Sequence, residues 1–264
     1  MKPLLRWAGS KKQLVPKLSG YWKQKYSRYF EPFAGSACLY FAIEPTQAVL
    51  GDLNQYLIQT YRMIKNEPYR VIEVLNRLPK GKAAYYQLRS KPFWTLAEAE
   101  QAAAFIYLNK YCFNGLFRTN SKGFFNVPFG DSKGNADIDI DHILQVSERL
   151  QNTYLCNGDF EQITAIAKQG DFVYLDPPYW SEHKKSFVEY QSRPFGIGDL
   201  ERLGRELDSL NCRGADFLVS YADCPEGREI LGKWQIEEVS TKRNIAGFAE
   251  HRKQSTELIA TNIA

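Results

Sequence analysis

RYFEPFAGSACLYFAIEPTQAVLGDLN, residues 28–54, sets the architecture. An apolar run over 28–33 meets Pro32 and a glycine-containing turn, and a second apolar run over 48–52 ends in Asp52. Proline removes a ladder N–H and so stops a strand, while glycine lets the backbone turn and approach a ligand closely. Further short apolar runs at 153–156, 171–175, 215–221, 234–240 and 256–261, most followed by helical pattern, repeat the rhythm. Such alternation predicts an α/β protein built on a doubly wound sheet, with ligands at the carboxyl ends of its strands. The last two runs have only a loop between them, which predicts an antiparallel pair at the end of the sheet.

Residues 55–150 break the rhythm with three or four helical patterns. Thr95, with Glu98 three residues on, predicts a capping box opening an alanine-rich helix through about Cys112. After it, FNGLFRTNSKGFFNVPFG (113–130) places turn formers at Asn114-Gly115 and Lys122-Gly123 around aromatic runs, predicting a projecting hairpin. Its Asn, Arg, Lys and unburied Phe side chains suit a surface that meets stacked bases. Tyr85-Tyr86 and Phe93-Trp94 are expected to pack the helical insertion. The expected division is therefore 1–54 with 151–264 as the sheet domain, and 55–150 as an inserted helical domain.

The chain of 264 residues is long enough for one large α/β domain with an insertion. Its five cysteines are scattered and never form a CxxC pair, and the three histidines are equally dispersed, so neither a disulfide framework nor a zinc site is expected. No apolar run is long enough to cross a bilayer, and no signal peptide is evident, which predicts a soluble intracellular protein. The net charge of +4 is modest, but Lys2, Arg6, Lys11, Lys12, Lys17, Lys23, Lys25 and Arg28 all precede the first acidic residue, Glu31. That block can offer a positive surface to phosphates, or simply a solvated basic face.

The turn after the first strand lacks the three-glycine spacing of a dinucleotide fingerprint, and no GxxxxGK[ST] loop occurs, so an ATPase is unsupported. Asp52 at the end of the second strand can accept hydrogen bonds from both ribose hydroxyls or cap the helix that follows. DFVYLDPPYW (171–180) ends a strand in a carboxylate followed by two prolines and two aromatics. An amine on an aromatic ring is a poor nucleophile because its lone pair is delocalised. Two fixed acceptors, the Asp176 carboxylate and the Pro177 carbonyl, would each take one N–H and free the lone pair for an electrophile. Pro177 and Pro178 restrict the backbone so that this carbonyl stays aimed, and Tyr179 offers a stacking face for a base extruded from a duplex.

The chain resembles the Dam-type (D12 class) DNA adenine-N6 methyltransferases. RWAGSKKQL, FEPFAGSA, GDLN, NKYCFNGLFRTNSKGFFNVPFG, DPPYW and the closing STKRNIAGFAEHRKQSTELIATN carry the likeness over nearly the whole length. The resemblance implies a Rossmann-like sheet with an inserted target-recognition domain, and methyl transfer from S-adenosylmethionine to N6 of adenine, leaving S-adenosylhomocysteine and needing no metal. It implies base flipping in double-stranded DNA at GATC or a related GAT-containing site. Along the cofactor it would place Trp7, Ala8, Lys11, Pro32, Phe33, Gly35, Asp52, Asp159 and Asp176, with Asp176, Pro177, Pro178 and Tyr179 at the reacting amine. Toward DNA it would place Arg6, Phe113, Asn114, Leu116, Arg118, Asn126 and Pro128, and the late loop residues Arg243 and Asn244, with Arg252 and Lys253 beside them. Arg6 replaces the lysine usual before WAG and still suits the O6/N7 edge of a guanine. Asp131-Ser132 replaces an Arg-Tyr pair common in the family. The resemblance further implies a monomer in the cytoplasm, associated with the nucleoid, with a cognate restriction endonuclease as an open partner.

Four rival readings are weaker. An RNA or cytosine-N4 methyltransferase shares the carboxylate chemistry but not a hairpin built for duplex invasion. A cytosine-C5 enzyme needs a cysteine nucleophile, usually as Pro-Cys, and the chain offers only Cys224-Pro225. Transfer to protein glutamine would favour Asn where Asp176 stands. An inactive DNA-binding module would be expected to lose Asp52 or Asp176 first.

Overall fold

The structure, a computed structural model, describes residues 1–130, 137–180, 195–242 and 254–263. The seven expected runs form seven strands: β1 (Tyr29–Glu31), β2 (Ala48–Asp52), β3 (Thr153–Asn157), β4 (Phe172–Leu175), β5 (Asp216–Ala222), β6 (Gln235–Lys242) and β7 (Gln254–Thr261). They make one sheet in the order β3-β2-β1-β4-β5-β7-β6. The first five in chain order run parallel, and β7 lies antiparallel to both β5 and β6. The expected antiparallel pair is present, with β7 inserted inside β6.

Among the described residues ten helices accompany the strands: α1 (Val15–Leu18), α2 (Cys38–Ile43), α3 (Gln55–Asn66), α4 (Pro68–Arg77), α5 (Lys82–Arg89), α6 (Glu98–Tyr111), α7 (Ile140–Leu150), α8 (Phe160–Thr164), α9 (Ile197–Cys212) and α10 (Pro225–Leu231). Successive strand residues point to opposite faces, and both faces are covered. Tyr29, Leu50, Phe172, Tyr174, Leu218 and Ile259 join one core, shared with α3 to α7. Phe30, Val49, Val173, Leu175, Phe217, Val219 and Ala260 join the other, under α8 and α9. This two-sided burial explains why the strands read as continuous apolar runs rather than alternating ones.

The described residues between β2 and β3 hold five helices, α3 to α7, more than their pattern suggested. α6 packs on α3, α4 and α5 and is buried all round, which its alanines permit by letting backbones approach. The capping box is not at Thr95. Residues Phe93–Thr95 form a 3₁₀ turn in which Thr95 Oγ1 donates to the Pro92 carbonyl, and the helix begins at Glu98 with the Ala97 N–H donating to Glu100. Tyr85 and Phe93 are buried as expected, but Trp94 is 52% exposed.

Residues 112–130 double back as an antiparallel arm. Cys112 bridges Phe129 and Thr119 bridges Phe125, with the Phe113 N–H donating to the Pro128 carbonyl (2.9 Å) and the Asn126 N–H to the Arg118 carbonyl (3.0 Å). The sequence suggested poor core material, and for three residues the structure corrects this. Phe117, Phe125 and Val127 are buried, with Phe117 stacked on Phe105. Phe113 is left 45% exposed. The arm is two-sided, one face in the core and one outward.

Candidate active site

Parallel strands bring the segments that follow β1, β2, β3 and β4 to one edge. After β1 the chain passes buried Pro32 and half-buried Phe33 and turns at Gly35 (φ +46°) and Ala37 (φ +51°) into α2. Gly35 is required twice: its φ is left-handed, and a Cβ there would lie 2.6 Å from Cδ1 of Trp7. Trp7 is held over this turn by stacking on Phe105 and Phe117.

Asp52 accepts hydrogen bonds from the Gly35 N–H (3.0 Å) and the Asn54 N–H (2.8 Å). The helix cap is Asn54, whose Oδ1 accepts from Tyr56 and Leu57, so Asp52 does not cap α3. Burial lifts the Asp52 carboxyl to about 6 against the pull of its two amide donors. Asp159 follows β3 on the same edge, caps α8 and pairs with Arg202 at 2.5 Å. Phe33 stacks on Phe160 and meets Phe195 edge-on. The arrangement provides an apolar, aromatic wall beside a fixed carboxylate.

Asp176 leaves β4 beside this turn. Its Oδ1 lies 2.8 Å from Lys11 Nζ and accepts from Ser220 Oγ at 3.1 Å, and Ser220 is itself bonded to the Tyr174 hydroxyl at 2.8 Å. Lys11 is 5% exposed, donates to the Tyr179 hydroxyl at 2.5 Å, and lies 3.6 Å from Glu257 of β7. Burial opposes the Lys11 charge, but Asp176, Tyr179 and Glu257 outweigh it and hold its pKa above the ordinary value. Burial also raises Asp176, with Lys11 and Ser220 restraining the rise. Pro177 is buried and Pro178 exposed, and Tyr179 meets Tyr221 edge-on while the Trp180 N–H donates to the Tyr221 hydroxyl. The backbone after Asp176 is thus tied to β5.

Glu31, at the end of β1, is buried and accepts from the Tyr29 hydroxyl at 2.9 Å. Burial pushes its carboxyl up to about 8.

Arg6 is exposed, and Arg118 and Asn126 are partly exposed on the arm, with Arg118 Nε donating to Asn126 Oδ1 at 2.7 Å. Asn114 (φ +55°), Pro128 and Phe113 are also exposed, and Leu116 is half-buried. Arg243, Asn244, Arg252, Lys253 and the Asp131-Ser132 pair lie outside the described residues. The N-terminal basic block is not one free surface. Lys11 faces Asp176 and Glu257, Lys17 pairs with Glu237, and Arg28 with Asp171 at 2.6 Å.

Residues 7–245 match the sequence model of the D12 class N6 adenine-specific DNA methyltransferases. The chain belongs to this family. It is 35% identical to a type II methyltransferase of Lactococcus lactis subsp. cremoris, over 99% of this chain and 95% of the relative. A type II methyltransferase of Methanocaldococcus jannaschii is 32% identical over 99% of both chains. The DNA adenine methylase of Escherichia coli K12 is 28% identical, over 98% of this chain and 94% of the relative.

This adenine-specific DNA methyltransferase therefore acts on DNA, and membership of the family implies S-adenosylmethionine as its methyl donor. The carboxyl edge fits such a donor: a carboxylate fixed by two main-chain amides, a turn with no room for a Cβ, and aromatic side chains beside them. Sequence reasoning on the methyltransferase missed Ser220, Glu257, Phe160 and Phe195. Glu257 lies inside the closing block that carries the resemblance, but only the antiparallel insertion of β7 shows that it reaches Lys11. No helix among the described residues is long and apolar enough to cross a membrane.

Proposed function

We propose that the methyltransferase modifies N6 of an adenine flipped out of duplex DNA, within GATC or a related GAT-containing site, using Asp176 and the Pro177 carbonyl as paired acceptors. The observation that carries this is Asp176 itself: a carboxylate at the carboxyl edge, set between Lys11 and Ser220 and next to Tyr179. When bound, the cofactor supplies an electrophilic methyl group on a sulfonium. Asp52 would hold its ribose, Trp7, Gly35 and Phe33 would line it, and Lys11 and Asp159 would border it.

Asp176 must be ionised to be a strong acceptor for the N–H and to receive a proton afterwards, and burial works against that. The Lys11 charge at 2.8 Å favours the carboxylate. Ser220 occupies one lone pair of Oδ1 and fixes the direction of the others. Tyr179 stacks on the extruded adenine, offsetting part of the cost of unpairing it, on the order of a few kcal/mol. Once the amine has taken the methyl group it carries an extra proton, which Asp176 is placed to receive.

In the same proposal residues 55–150 recognise the target, and residues 1–54 and 151–264 hold the cofactor and the DPPY segment. Arg6, Leu116, Arg118, Asn126 and Pro128 face base edges, and Phe113 with Asn114 enters the opened duplex. Phe113, exposed where Phe117 and Phe125 are buried, supports that assignment. The type II names of two relatives favour a modification role beside a restriction endonuclease of the same site.

The test is to incubate the protein with S-adenosylmethionine and unmethylated bacterial genomic DNA, then map the product by sequencing that detects N6-methyladenine. Methylated adenines within a GAT-containing motif are expected. N4-methylcytosine as product, or transfer to structured RNA alone, would overturn the proposal.

A further inference from the structure

Asn109 lies near the end of α6 and is 3% exposed. The other buried positions of that helix are alanine, aliphatic or aromatic, so a buried amide there needs partners. Its Oδ1 accepts from the Arg6 N–H at 2.9 Å, and its Nδ2 donates to the Arg6 carbonyl at 2.8 Å and the Gly115 carbonyl at 3.3 Å. A carboxamide presents the same acceptor and donor as a peptide group, so Asn109 docks Arg6 as a neighbouring strand would. A carboxylate could not donate to either carbonyl, and a glutamine would place the same groups one methylene further out.

Four further contacts complete the joint. Arg6 Nη2 donates to the Lys110 carbonyl at 2.7 Å. Gly115 (φ +65°) leaves space for the Arg6 stem, since a Cβ there would lie 2.3 Å from Arg6 Cβ. Cys112 Sγ lies 3.2 Å from the Leu116 carbonyl and 3.4 Å from that of Asn109 itself. The segment carrying Arg6 and the root of the arm, far apart in sequence, are thereby fixed to one another, with the Asn109 amide bonded to both. Among the described residues no carboxylate is paired with Arg6.

We infer that Asn109 is a specificity-positioning residue, which sets the spacing between Arg6 and the arm and so the register in which both meet the base pairs. The inference rests on the proposal that Arg6 and the arm face DNA. A direct reader works through its own hydrogen bonds to a base, whereas Asn109 works through Arg6. Disturbing either residue should therefore loosen the same position of the site, and disturbing both should add little.

The experiment compares wild type with Asn109→Ala, Gly115→Ala, Arg6→Ala and the Asn109→Ala/Arg6→Ala pair. Each is given unmethylated genomic DNA and S-adenosylmethionine, the base profile around methylated adenines is read by sequencing, and cofactor affinity is measured by calorimetry. Arg6→Ala should relax one position by about tenfold, the usual worth of a specific base contact. Asn109→Ala and Gly115→Ala should relax the same position, the double variant should match Arg6→Ala there, and cofactor affinity should be unchanged. Asn109→Asp, which keeps the acceptor for the Arg6 N–H, should fall between wild type and Asn109→Ala and serves if the alanine variant does not fold.

A relaxed profile in Arg6→Ala beside wild-type profiles in the Asn109 and Gly115 variants would overturn the inference alone. So would effects of Asn109→Ala and Arg6→Ala that multiply, or a uniform loss of activity with the profile intact. An unchanged profile in Arg6→Ala would instead remove Arg6 as a reader.

Discussion

Arg6 and Lys11 belong to one short segment yet are held in opposite ways. Lys11 is buried, and what fixes it is chiefly the charge of Asp176 and Glu257, with the neutral Tyr179 hydroxyl as a third partner. Arg6 is exposed, and what fixes it is neutral: the Asn109 amide and the Lys110 carbonyl. The contrast follows from what each place must do. A buried corner can keep a carboxylate ionised only by surrounding it with compensating groups, and those groups titrate. In the proposed function Arg6 meets a polyanion, and anchoring it through its backbone by neutral groups leaves its position independent of pH and little affected by salt.

The corner breaks most completely at Asp176. Asp176→Ala should lower the single-turnover rate by about 10²–10³-fold or more, the scale of losing one essential polar group at a reacting centre. Duplex affinity by gel shift should stay near wild type, because phosphate contacts dominate binding. Retained turnover would refute the role given to Asp176.

Lys11→Met removes the cation that favours the Asp176 carboxylate. A carboxyl without it protonates more readily, so the acid limb of the rate profile should move to higher pH. The target profile should not move with pH, because Arg6 is joined to the arm through an amide and carbonyls. A limb left in place would mean that Lys11 does not hold the charge of Asp176.

Glu31 sharpens the comparison through stability. Its folded pKa is raised to about 8, with Tyr29, Cys38, Asp176 and Asp52 as ionisable neighbours, so the folded state binds a proton that the unfolded chain has released. Stability from this group is therefore greatest in acid and lost as pH rises toward its folded value. Over pH 6 to 8 the loss should be about 2 kcal/mol, and Glu31→Gln, which keeps an acceptor for the Tyr29 hydroxyl, should abolish it in urea denaturation. Equal pH slopes in the two proteins would place the proton elsewhere.

The smallest change expected is in Ser220→Ala. Losing one hydrogen bond to Asp176 should cost about 1 kcal/mol of transition-state stabilisation, roughly fivefold in kcat, with KM for DNA unchanged. A change in KM alone would make Ser220 a packing residue.

The sheet was legible because strands covered on both faces are apolar throughout, and because proline, glycine and aspartate mark their carboxyl ends. The turn at Gly35 could be anticipated for the same reason, whereas the hydrogen bond from its amide to Asp52 could not. The arm was legible as a turn-bounded segment, but its sidedness was not: Phe117 and Phe125 look like Phe113 until the core beneath them is seen. The fate of the basic block was hidden because its partners, Asp171, Asp176, Glu237 and Glu257, lie far along the chain. Thr95 misled because a hydroxyl three residues before an acid has the form of a cap, while the Pro92 carbonyl took the hydroxyl locally.

Because β7 follows β6 in the chain but lies inside it, Glu257 is translated long after Lys11 and Asp176. Until that strand threads between β5 and β6, β5 has an open edge and the lysine lacks one of its two counter-ions. Assembly of the Lys11–Asp176–Glu257 corner is therefore timed by a non-local pairing rather than by the early βα units.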